Sequence, residues 1–92
     1  VFVRFELVAP EARAVTVAGS FNGWRPEAVR MTRGPGGTWA VTAPLALGQH
    51  QYQFVVDGER WIPDPGAYAQ TDDGFGGTNS VIVVGAKGVV RS

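Results

Sequence analysis

Two tryptophans stand outside any obvious strand pattern: Trp24 closes the turn-like run "GSFNGW", and Trp61 follows the turn signal "DGER". A ring of that size gains by leaving water, so each either folds back inside or is held out for a ligand. Side chains suited to bond-making chemistry are few. Asp57, Glu59 and Asp64 offer carboxylates for an acid–base pair, but Asp57 and Asp64 lie beside Gly and Pro in turn signals that explain them without catalysis. Ser20 and Ser80 have only the lone His50 as a base. His50 has no cysteine or second histidine with which to share a metal. Asp72-Asp73-Gly74 lacks the alternating oxygen ligands and final glutamate of a calcium loop. The expectation is a domain without catalytic residues, metal or cofactor, whose aromatic rings carry its function.

Charge narrows the ligand. Lys+Arg and Asp+Glu total 8 each and the basic residues are scattered, so nothing forms a stripe for phosphate backbones or anionic lipid. A neutral ligand fits better than nucleic acid. No apolar stretch approaches the roughly 20 residues of a spanning helix. The absence of cysteine excludes a disulfide framework and favours a reducing, cytoplasmic setting. The sequence opens at Val1 with no charged-then-apolar leader, and is expected to be a module of a longer protein.

The elements that must position these residues read as strands. Gly (13) and Pro (6) punctuate the 92 residues, and no window between them sustains a 3.6-residue apolar period. "VFVRFEL" places Val3, Phe5 and Leu7 on one face, and "AVTVAG" joins Val15 to Val17. "GTWAVTAPL" puts Trp39 in phase with Val41, which marks it as a core ring. "HQYQFVV" sets Tyr52, Phe54 and Val56 against Gln51, Gln53 and Val55, and "NSVIVV" closes the series. Short strands joined by Gly/Pro turns in a chain of this length predict an all-β, immunoglobulin-like antiparallel β-sandwich. A single domain is expected over 1–84, with 85–92 as tail or linker. "PDPGAYAQTDDGFGGT" shows no strand pattern and reads as a long loop, of the kind that is usually functional.

One residue of register decides where Trp61 points. A two-residue Asp57-Gly58 turn pairs Phe54 with Trp61 and sends the ring inward. A three-residue turn including Glu59 pairs Val55 with Trp61 and sends it outward beside Gln53. Local physics leaves both open, since each strains the position opposite Val56.

Five pieces in this order resemble a known family: "VTVAGSFNGW", "GTWAV", "GQHQYQFVVDG", "RWIPDP" and "GGTNSVIVV". They are similar to carbohydrate-binding module family 48, which includes the glycogen-binding domain of the AMP-activated protein kinase β subunit and the early-set domain of isoamylase and branching enzymes. The resemblance spans roughly Val3 to Val84. It implies a glucan-binding module in which Trp24 and Trp61 stack on sugar, Asn79 hydrogen-bonds hydroxyls, and Phe75 is an apolar loop residue beside the glucan. The kinase module has one residue fewer between its Asp-Gly turn and its tryptophan, which favours the three-residue register and an exposed Trp61. Gln53 stands where that module has lysine, and keeps a donor and an acceptor on a shorter, uncharged arm.

These residue types suit the ligand so implied. A glucose unit has an apolar C–H face and a hydroxyl rim, so its binder needs flat aromatic platforms with a few groups that donate and accept. The expected function is therefore a non-catalytic α-glucan module using Trp24, Gln53, Trp61, Phe75 and Asn79. The alternative, motivated by Gln53, is a structural early-set domain that packs against an amylase-type catalytic domain or a protein partner without binding glucan.

Overall fold

The structure is a computed structural model and describes residues 1–90. Its first strand, β1 (Phe2–Val8), alternates strictly, burying Val3, Phe5 and Leu7. β2 (Val15–Gly19) buries Val15 and Val17, and the chain then switches sheets through β3 (Val29–Arg30) and β4 (Thr32–Arg33). After one short 3₁₀ turn at Pro35–Gly37 come β5 (Thr38–Pro44), β6 (Gly48–Val56) and β7 (Arg60–Ile62). β8 (Ala69–Asp72), β9 (Thr78–Gly85) and β10 (Gly88–Val89) complete the series. Among the described residues there is no α-helix, and none long and apolar enough to cross a membrane.

The strands form two antiparallel sheets, an all-β sandwich as the alternation predicts. One has the order β1-β5-β4; the other runs β10-β9-β6-β2-β3, with β7 also on β6 and β8 on β9. Their inner faces share one core in which Phe5, Trp39, Tyr52 and Phe54 meet the valines of β1, β2 and β6. Phe5 and Tyr52 pack edge to face with centroids 5.0 Å apart. Burying each such apolar side chain is worth about 1.5–3 kcal/mol. Trp39 is a core ring, as expected, and donates its Nε1–H to Ala9 O at 2.9 Å.

Two segments differ from the sequence expectation. The supposed loop 63–78 contains β8, paired with β9 from Ala69↔Val81 to Asp72↔Thr78. "AQTD" is polar and mostly exposed, so it forms an edge strand through backbone pairing alone, with no apolar alternation to announce it. The stretch 85–92, read as tail or linker, is corrected over its described part: Gly88 and Val89 pair with Gly85 and Val84, and Val90 N–H donates to Val83 O. Gly88, at φ 117, makes that reversal possible. Residues 91–92 lie outside the described residues.

Candidate functional site

The outer face of β6 is the floor of the site. Tyr52, Phe54 and Val56 point into the core, so Gln51, Gln53 and Val55 point away from it. β7 and β9 lie end to end along one edge of β6: β7 pairs Phe54–Val56, and β9 pairs Gly48–Tyr52. Trp61 from one and Asn79 from the other therefore flank Gln53.

The β6–β7 turn takes the three-residue register. Val56 pairs with Arg60 and Val55 with Trp61, which leaves the Trp61 ring 43% exposed on the outer face. Asp57 (φ 55) and Gly58 (φ 72) both adopt left-handed backbone, and Glu59 N–H closes the turn on Val56 O at 3.1 Å. Asp57 fixes the turn to the segment that leads into β2, accepting Arg13 N–H at 2.7 Å and Ala14 N–H at 3.1 Å. Those two backbone donors hold its carboxyl below the ordinary aspartate range.

Trp24 is positioned by the six residues that end with it. Gly19 is required by close approach, because a Cβ there would sit 2.6 Å from Gln51 O and 2.5 Å from the Phe21 ring. Ser20 continues the pairing past the strand end, donating its N–H to Gln51 O and accepting Gln51 N–H on Oγ. Phe21 folds back and stacks on Phe5 with centroids 5.9 Å apart. Asn22 braces the loop, accepting Gly19 N–H and donating to Val17 O, each at 3.0 Å. Trp24 itself has φ 61, a left-handed conformation that costs a non-glycine residue about 1–2 kcal/mol. Its N–H bond to Gly19 O at 2.9 Å holds it there. The ring is half-buried, neither a core residue nor a free one.

The β8–β9 hairpin supplies the third wall. Asp73 Oδ1 accepts Phe75 N–H at 2.7 Å and Gly77 N–H at 2.9 Å, while Asp72 Oδ1 accepts Gly74 N–H at 2.7 Å. The acidic pair is thus the loop's internal tie, and it presents Phe75 at the tip, 95% exposed.

The amide side chains form a chain of hydrogen bonds. Gln53 Nε2 donates to Thr78 O at 3.1 Å and to Asn79 Oδ1 at 2.7 Å; Asn79 Nδ2 then donates to Gln51 Oε1 at 3.1 Å. Gln53 and Asn79 are largely covered, Gln51 less so.

Trp24, Gln53, Trp61, Phe75 and Asn79, all singled out in the sequence, line one open depression. Gln51 and Asp73 line it too, and the sequence reading did not include them among the site residues. The period-two phase of "HQYQFVV" already sets Gln51 on the same face as Gln53; nothing local marks Asp73.

Asp64, Ser80 and His50, also considered for chemistry, bond within the scaffold. Asp64 accepts the Tyr52 hydroxyl at 2.6 Å and Gly66 N–H at 2.8 Å, and Ser80 Oγ accepts Asp64 N–H at 2.7 Å. The His50 ring bonds Ala46 O at 2.8 Å through Nε2.

The family model of the glycogen recognition site of AMP-activated protein kinase matches residues 3–90. The chain belongs to this family. As a glycogen recognition module it is a glucan-binding domain. Among curated proteins it is 49% identical over 68 residues to the 1,4-alpha-glucan branching enzyme GlgB of Cupriavidus pinatubonensis, covering 67% of this chain and 9% of that enzyme. It is 40% identical over 75 residues to the corresponding enzyme of Pseudomonas syringae pv. tomato, covering 75% of this chain and 10% of the relative. The module thus spans about a tenth of the length of the curated relatives it matches.

Proposed function

We propose that this domain is a non-catalytic module that holds α-1,4-linked glucan, such as glycogen, starch or maltooligosaccharides, in the depression between Trp24 and Trp61. The observation that carries this reading is the convergence of two partly exposed indoles, an exposed Phe75 and a chain of amides on one open face. The indoles stack on the C–H faces of glucose units. The amides meet the hydroxyl rim, and Phe75 lies against the chain from the loop side.

If each ring covers about 100 Å² of sugar at roughly 25 cal/mol per Å², the two supply on the order of 5 kcal/mol before ordering costs. Short oligosaccharides then bind in the millimolar to high-micromolar range. Retention on a polymer comes from its many repeated sites and from tethering to a larger parent protein, which the much longer branching enzymes support. The reading of the domain as non-catalytic is supported by three of its eight acidic residues: Asp57, Asp64 and Asp73 each accept backbone N–H groups that fix turns.

Affinity electrophoresis through glycogen tests the reading. The domain is expected to be retarded, and Trp24→Ala to migrate as though no polymer were present. Equal mobility with and without glycogen returns the structural early-set alternative.

A further inference from the structure

The amide chain across the floor of the depression has a direction. Gln53 spends both Nε2 hydrogens within the protein, one on Thr78 O and one on Asn79 Oδ1. It has no donor left for a ligand and can offer only its carbonyl. Asn79 passes one of its two N–H groups to Gln51 Oε1. Gln51 is therefore the end of the chain. Its carbonyl is engaged, while its amide nitrogen donates to no acceptor among the described residues, and it lies on the depression as the most accessible of the three amides.

We propose that Gln51 is a ligand-contacting, specificity-determining residue that donates hydrogen bonds to sugar hydroxyl oxygens, and that Gln53 is a positioning residue acting through Asn79. The proposal rests on the glucan reading of this depression. Backbone geometry fixes the Gln51 position, because β6 is anchored at that residue by Ser20 on one side and by pairing with Val81 on the other. Its side chain is then oriented by the Asn79 bond, so the terminal NH₂ is set without help from the ligand. A pre-oriented donor loses less freedom on binding than a free one.

The test is Gln51→Glu, which keeps an oxygen to accept the Asn79 N–H but removes both donors. Maltoheptaose titrations by calorimetry are run beside thermal melts and beside side-chain amide NMR of the unsubstituted domain. The expected result is an affinity about three- to tenfold lower, with an unchanged melting temperature. The Gln51 amide protons are expected to shift on titration while those of Gln53, held within the protein, move less. Affinity within twofold of the unsubstituted domain, or a Gln51 amide that does not move while Trp24→Ala abolishes binding, overturns the assignment and leaves Gln51 as a brace. If the unsubstituted domain itself does not bind maltoheptaose, the underlying glucan reading fails, and that outcome is distinct from an unaffected Gln51→Glu.

Discussion

Val55 and Trp61 face one another across the β6–β7 hairpin, and that single pairing places the indole on the outer face of the sheet beside Gln53. The alternative register would have put the same ring beside Phe54, which is fully buried. That one pairing thus decides whether the open depression has one indole wall or two.

The pairing makes a test of the turn itself. Deleting Glu59 leaves Asp57-Gly58 as a two-residue turn whose next residue, Arg60, still meets Val56, and Trp61 still meets Val55. Both turn residues already have the left-handed backbone that such a turn requires. The deletion is expected to leave Trp61 emission at the wavelength of a partly exposed indole and to keep maltoheptaose affinity within about threefold, a change worth less than 1 kcal/mol. A strong blue shift with loss of binding would mean that the strand had slipped.

Much of the architecture was legible in the alternation of apolar residues. Val3, Phe5 and Leu7, and again Tyr52, Phe54 and Val56, occupy the core faces that their spacing predicts. β8 was not legible, because "AQTD" is held by backbone pairing at an edge and buries little. The strand at Gly88–Val89 was likewise hidden, since two residues carry no periodicity.

The aromatic residues that line the depression were visible by type, and their geometry was not. Trp24's left-handed backbone depends on Asn22 and Gly19 hydrogen bonds, and Gln51's engagement depends on Asn79, 28 positions away. Contacts at that separation leave no local pattern to read.

Gly19 gives a prediction about stability. Gly19→Ala sets a Cβ against Gln51 O, which accepts Ser20 N–H, and against the Phe21 ring, which stacks on Phe5, so relief disturbs one contact or the other. An overpacked site of this kind costs about 1–3 kcal/mol. For a domain of this size that lowers the melting temperature by about 4–8 °C per kcal/mol. An unchanged melt would show that the loop tolerates the shift.

Asp57 predicts a pH dependence. Its two backbone donors depress its folded pKa below the unfolded value of about 3.9. Its contribution is therefore fully present above that value and is lost as pH falls through the lower, folded pKa. Asp57→Asn removes the titration. Urea midpoints measured from pH 6 down to pH 2 are expected to fall further for the unsubstituted domain than for Asp57→Asn, with the difference opening below about pH 4. Parallel curves would show that the turn carboxylate contributes nothing through its protonation.

In the proposed function, Trp24 and Trp61 are paired platforms for an α-glucan. Calorimetric titration of the domain with maltoheptaose, repeated for Trp24→Ala and Trp61→Ala with folding checked by thermal melts, tests it most directly. Saturable binding is expected, with a Kd in the millimolar to high-micromolar range, weakened at least tenfold by either substitution in a folded variant. Binding that survives both substitutions unchanged would contradict it.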